Sequence, residues 1–208
     1  MKVLLVNGSP HEKGCTYTAL TEVAKALNAE GIETEIFHIG TEPISGCRGC
    51  GACRKQKLGR CVIDDIVNEF GAKAKEADGF IFGSPVHYAS MGGSLAAFMD
   101  RLFYSAGKFL RLKPAAAIAS ARRAGTTATL DIINKYFTIS EMPVVSSRYW
   151  NMVHGSTPDD VLKDEEGVAT MRVLGKNMAY LLKALEAAKA AGIPLPEPEP
   201  PVRTNFIR

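Results

Sequence analysis

Lys2-Val3-Leu4-Leu5-Val6-Asn7-Gly8-Ser9-Pro10 decides the fold: four consecutive branched apolar residues run straight into a turn signal. An unbroken valine and leucine run of this length is the pattern of a central strand buried on both faces of a parallel sheet. Outward from it, Thr16 opens a helix whose Leu20, Val23, Ala24 and Leu27 share one face. Gly31 stops that helix before a second strand, Thr34 to His38. This is a βαβ beginning. Further strands are expected at Gly79 to Gly83, Ala115 to Ser120 and Met142 to Val145. Helices are expected after Asp64-Asp65, through Leu95 to Leu102, from Thr127 to Phe137 and from Glu165 to Ala191. The alternation predicts an α/β fold: a doubly wound, five-stranded parallel sheet with helices on both faces. Residues 1–192 are expected to form one domain, interrupted by a cysteine-rich excursion over residues 43–63. Proline and glutamate dominate residues 194–201, so residues 193–208 are expected to be an extended C-terminal tail.

The formal charge is +3, from 25 basic and 22 acidic residues, which argues against a nucleic-acid partner. No apolar stretch approaches the ~20 residues of a membrane span. The opening strand is too short for a secretory leader and is followed at once by polar residues. A soluble, cytoplasmic protein is expected.

In an open parallel sheet, ligands sit beyond the C-terminal strand ends where strand order reverses. Three loops there have matching chemistry. After strand one, Ser9-Pro10-His11-Glu12-Lys13-Gly14-Cys15-Thr16-Tyr17-Thr18 brings amides and hydroxyls to a helix start, suited to a phosphate monoester. A plain helix cap by Cys15 or Thr16 is the alternative. The loop has neither the G-x-x-x-x-G-K-[ST] nor the G-x-G-x-x-G pattern, which excludes nucleoside-triphosphatase and dinucleotide fingerprints. After strand three, Pro85, Val86, His87 and Tyr88 can flank a planar ring, and Gly92-Gly93 allows close backbone approach. After strand four, Ser120 to Thr127 adds hydroxyls and the pair Arg122-Arg123. One ligand with a phosphate at one end and a flat heteroaromatic at the other can touch all three.

Four of the five cysteines, Cys47, Cys50, Cys53 and Cys61, form a C-x2-C-x2-C-x7-C run. The spacing is unsuited to low-strain disulfides. It matches the compact pattern of a cubane iron-sulfur cluster better than paired zinc knuckles. A zinc site and thiols without metal remain open on spacing alone. The basic residues Arg54, Lys55, Lys57 and Arg60 either offset cluster charge or solubilise the loop.

Gly8-Ser9-Pro10 with Thr16 and Thr18, then Gly83-Ser84-Pro85-Val86-x-Tyr88 with Asp100-Arg101, resemble the flavodoxin-like NADPH-dependent FMN reductases. The cysteine triplet with Cys61-Val62-Ile63-Asp64-Asp65 is similar to the iron-sulfur flavoprotein branch, whose members hold FMN and a [4Fe-4S] cluster. The resemblance covers about residues 1–140. It implies that Ser9, His11, Cys15, Thr16, Tyr17 and Thr18 hold the FMN phosphate. It likewise implies that Pro85, Val86, His87 and Tyr88, with Ser120, Arg122, Gly125 and Thr126, contact ribityl and isoalloxazine. Cys47, Cys50, Cys53 and Cys61 would be the cluster ligands. His11 and Cys15 depart from the residues common in the family, arginine and a small polar side chain.

The implied activity is an FMN-dependent oxidoreductase or electron-transfer flavoprotein, with NAD(P)H, a quinone or a ferredoxin as redox partner and a homodimer or homotetramer as the assembly. No side-chain general acid or base is needed. Two other readings are a cluster-free NAD(P)H-dependent FMN or quinone reductase, and a non-catalytic electron carrier or redox sensor.

Overall fold

In the computed structural model, which describes residues 1–200, 202 and 204–206, the opening stretch is strand β1 (Lys2–Asn7), fully buried from Val3 onward. Then follow α1 (Cys15–Ala29), β2 (Glu33–His38), a one-turn helix α2 (Ala52–Lys55) inside the cysteine excursion, and α3 (Ile66–Glu76). Next come β3 (Gly79–His87), β4 (Ser90–Met91), α4 (Gly93–Ala106), β5 (Ala115–Ala121) and α5 (Thr126–Ile139). The order ends with β6 (Met152–His154), α6 (Pro158–Lys163) and α7 (Glu165–Ala190). Five parallel strands lie in the order β2-β1-β3-β5-β6, and β4 pairs antiparallel with the end of β3. This is a flavodoxin-like sheet, and its order reverses between β1 and β3.

The two-residue period of the strands sorts two cores onto opposite faces. Val3, Leu5, Ile81 and Ile118 pack against α1 and α7 in an aliphatic layer. Leu4, Val6, Phe80 and Phe82 face α3, α4 and α5, where Phe70 meets Phe98 edge-on at 5.4 Å and Phe37 at 5.2 Å. Helices α1 and α7 approach closely at Gly175, where a Cβ would lie 2.7 Å from Ala26 Cβ. Helix α3 starts where the sequence suggests, because the Asp65 carboxylate accepts from Val67 N at 3.1 Å.

Four local features differ from expectation. The fifth strand is β6, not Met142 to Val145. The earlier segment makes a single bridge, with Ala115 N donating to Pro143 O and Val145 N to Ala115 O. Pro143 has no N–H to extend a ladder, so the chain leaves the edge and returns at Met152. Strand β3 continues through Pro85 to His87, so that segment is a β-hairpin rather than an open loop. Helix α1 begins at Cys15 behind Gly14, with no side-chain cap from Cys15 or Thr16. Helix α6 was not anticipated, although Thr157 and Asp160 form a reciprocal capping box around Pro158. Residues 193–200 have no regular secondary structure, and Pro196 O accepts from Arg111 Nη1 at 3.2 Å. The expectation for residues 201, 203, 207 and 208 lies outside the described residues.

Candidate functional site

The β1–α1 loop is shaped by its own polar groups. Asn7, fully buried, donates from Nδ2 to Glu12 O at 2.9 Å and accepts from Ser9 N at 3.1 Å. Ser9 Oγ accepts from His11 N at 3.1 Å, which leaves its own hydroxyl proton free to donate. Ser9 O lies 2.8 Å from His38 Nε2 at the end of β2. The first-turn N–H groups of Cys15, Thr16 and Tyr17 precede the first carbonyl that α1 can offer, and the intrahelical ladder starts with Thr18 N on Gly14 O. Free donors and the positive end of the helix dipole therefore meet at one place, the chemistry an anionic phosphate takes.

The predicted side chains do not all point the same way. Thr16 and Ser120, both buried and 104 positions apart, share a hydrogen bond of 2.8 Å that joins α1 to the end of β5. Thr18 donates its hydroxyl to Gly14 O. Cys15 Sγ sits 3.7 Å from Gly155 O. Burial pushes its thiol pKa up, with the Asp160 carboxylate adding to the effect, so it is not an activated thiol. His11 is exposed, and Tyr17 is half-buried.

At the β3–β4 hairpin, Val86 pairs with Met91 and His87 with Ser90, leaving Tyr88 and Ala89 as a two-residue turn. Both turn residues have positive φ, 50° and 56°, which costs a non-glycine residue about 1–2 kcal/mol. The Tyr88 ring is fully exposed at the tip. Ser84 Oγ accepts from Gly92 N at 3.0 Å and ties the hairpin to the start of α4. The third loop packs under this tip: Gly125 has φ 97°, and a Cβ there would lie 2.8 Å from Val86 Cγ1 and 2.9 Å from Ala89 Cα. Only glycine fits that position. Thr126 is buried and donates to Met152 Sδ, while Arg122 is exposed. The structure thus joins Thr16 to Ser120 between α1 and β5 and sets Val86 and Ala89 against Gly125.

The four cysteines of the excursion line one small pocket, together with Arg101, Tyr104 and Ser105 of α4. Cys61 is held firmly. Asn68 accepts from Cys61 N at 2.9 Å and donates to Cys61 O at 3.0 Å. Arg101 Nε donates to Cys61 Sγ at 3.4 Å. Arg101 itself is fully buried and pairs with Asp65 at 2.5 and 2.9 Å. Burial works against its charge, but the hydrogen bonds it donates to Asp65 and Cys61 outweigh that and its pKa is raised. Cys47 and Cys50 are exposed, and Arg54 stacks over the Tyr104 ring at 3.7 Å. Sequence reasoning placed the cysteines but gave Arg101 and Asn68 no role at them.

Among the described residues, no three His, Cys, Asp or Glu side chains converge tightly enough to hold a single metal ion. The donor set alone, four thiols lining one pocket, matches in chemistry and number what a four-iron cluster takes. No helix among the described residues is long and apolar enough to cross a membrane.

The model of the NADPH-dependent FMN reductase family matches residues 1–157. An iron-sulfur flavoprotein of Methanocaldococcus jannaschii is 36% identical over 194 residues, covering 89% of this chain and all of that protein. An iron-sulfur flavoprotein of Methanosarcina thermophila is 31% identical over 193 residues, covering 89% of this chain and 97% of that one. Among solved structures, a flavodoxin from the Archaea superposes with a TM-score of 0.60 at 15% identity, covering 88% of this chain and 99% of that one. With its sheet order and this match across three quarters of its length, the chain belongs to the NADPH-dependent FMN reductase family, a family of flavin-dependent oxidoreductases.

Proposed function

We propose that this flavin-dependent oxidoreductase binds FMN across the β1–β3 switch point and a [4Fe-4S] cluster in the cysteine cavity. The carrying observation is the convergence of the loops after β1, β3 and β5, fastened by the Thr16–Ser120 hydrogen bond. The Ser9 hydroxyl and the first-turn amides of Cys15, Thr16 and Tyr17 would hold the phosphate, with His11 and Thr18 at its margin. Pro85, Val86, His87 and Tyr88 would flank the ring on one side, and Ser120, Arg122, Gly125 and Thr126 would line the other. Cys47, Cys50, Cys53 and Cys61 would ligate the cluster.

Bound FMN supplies two-electron exchange that can be released singly, and a cluster supplies one-electron exchange. The chain's own residues position and enclose. The strained Tyr88-Ala89 turn sets a ring-flanking wall, Asn7 keeps the phosphate loop open, and Arg101 with Asn68 keeps Cys61 at the cavity. NAD(P)H, a quinone or a ferredoxin would be the redox partner, and the assembly would be a homodimer or homotetramer. The chain is read as one domain over residues 1–192 followed by a tail.

A cluster-free NAD(P)H-dependent reductase is the second reading, favoured by the exposure of Cys47 and Cys50. The visible spectrum of protein purified without oxygen, with iron and acid-labile sulfide analysis, separates the two. Flavin bands with about four iron and four sulfide per chain support the first reading. Flavin without iron leaves the second, and absence of flavin overturns both.

A further inference from the structure

Arg101 has an unusual distribution of donors. Its guanidinium is fully inside the protein, and all five N–H groups are used. Nη1 donates to Asp65 Oδ2 at 2.5 Å and Ser45 O at 3.3 Å, Nη2 to Asp65 Oδ1 at 2.9 Å and Ile63 O at 2.9 Å, and Nε to Cys61 Sγ at 3.4 Å. Burying a cation is costly, and one bidentate carboxylate already compensates it. Two further bonds, to Ser45 O and Ile63 O, close the two ends of the excursion onto α4. The fifth is not needed for that closure, because Asn68 already grips Cys61 by its own N–H and carbonyl. What the Nε bond adds is a cationic donor aimed at one sulfur of the cavity.

We infer that Arg101 is a positioning residue that holds Cys61 Sγ as the fixed corner of the cysteine cavity and, through its N–H···S bond and buried charge, raises the reduction potential of the cluster. The inference rests on the cluster reading above. Reduction adds negative charge to a thiolate-ligated centre, and hydrogen bonds to its sulfurs together with nearby positive charge favour the more negative state. The cavity is therefore asymmetric: Cys61 is fixed at backbone and sulfur, whereas Cys47 and Cys50 lie exposed on its opposite arm.

The test uses anaerobically purified holoprotein, as wild type, Arg101→Lys and Arg101→Gln, with iron, sulfide and flavin counted and the cluster titrated potentiometrically by EPR. The expected result is a tenfold or greater shift toward the oxidised form in Arg101→Gln at fixed potential. That corresponds to a midpoint at least 59 mV lower for a one-electron couple. Arg101→Lys should fall between the two, and the flavin couple should stay in place. Fully loaded variants with unchanged midpoints would overturn the inference and leave Arg101 as a loop clamp alone. If neither variant loads, wild-type protein labelled with 15N-arginine decides. A nitrogen coupling to the reduced cluster in pulsed EPR supports the N–H···S bond, and its absence overturns it. Wild-type protein without iron overturns the cluster reading and this inference with it.

Discussion

The phosphate loop and the cysteine excursion are both polar loops at the margin of the sheet, but they are held in opposite ways. The first is fixed from inside by Asn7, by Ser9 and by a buried hydroxyl pair, so its shape is part of the fold. The second is fixed at one end, where Asn68 and Arg101 grip Cys61, and its other cysteines range from exposed to half-buried. One region is a loop whose shape is set in advance by its own hydrogen bonds. The other is a frame whose firm anchor is Cys61.

The sharpest break in this contrast is Asp65→Ala. It removes the cap of α3 and leaves the Arg101 charge buried without a carboxylate. It should lower the stability of the apoprotein by about 3 kcal/mol in urea denaturation, the lower end of the loss for a broken buried pair because Asp65 is partly exposed. FMN affinity in the protein that remains folded should change less than about threefold, since the phosphate loop does not use Asp65. Gly125→Ala reverses the pattern. Positive φ and the clash with Val86 and Ala89 should together cost about 2–3 kcal/mol. FMN affinity by fluorescence titration should fall about tenfold, and iron content should hold.

Thr16→Val is next, leaving Ser120 Oγ without its buried partner at about 1–2 kcal/mol. Adding Ser120→Ala should recover part of that loss, and strict additivity in the double-mutant cycle would mean that the pair does not couple. Cys50→Ser is the smallest effect on stability, within about 0.5 kcal/mol for the apoprotein because the side chain is exposed. Under the cluster reading the same substitution should sharply reduce iron retained on purification.

Much of this contrast is readable from residues near one another in the chain. Lys2 to Pro10 announces a buried strand and its turn, Asp65 announces the start of α3, and the cysteine spacing announces that four thiols can share one pocket. What escapes is either long-range or against local rules. Thr16 and Ser120 meet only because β1 and β5 flank β3. Tyr88 and Ala89 form a turn that normally calls for asparagine or glycine, so the hairpin has no turn signal. Arg101 sits among the apolar positions of α4, where charge ordinarily marks the solvent face, and its five acceptors come together only when the folded excursion and Asp65 close over it. Met142 to Val145 looks as strand-like as Met152 to His154, and Pro143 tips the balance through a missing donor.

That split edge has a consequence for how copies of the chain can meet. A long, flat border strand is a template for pairing with another sheet. Here one border is interrupted at Pro143 and resumes for only three residues at β6. The opposite border, β2, carries Glu33 and Glu35, which engage Lys2 and Lys73. Neither side offers a long uncharged run of free backbone. Growth of one sheet onto another by strand addition is therefore disfavoured from the start.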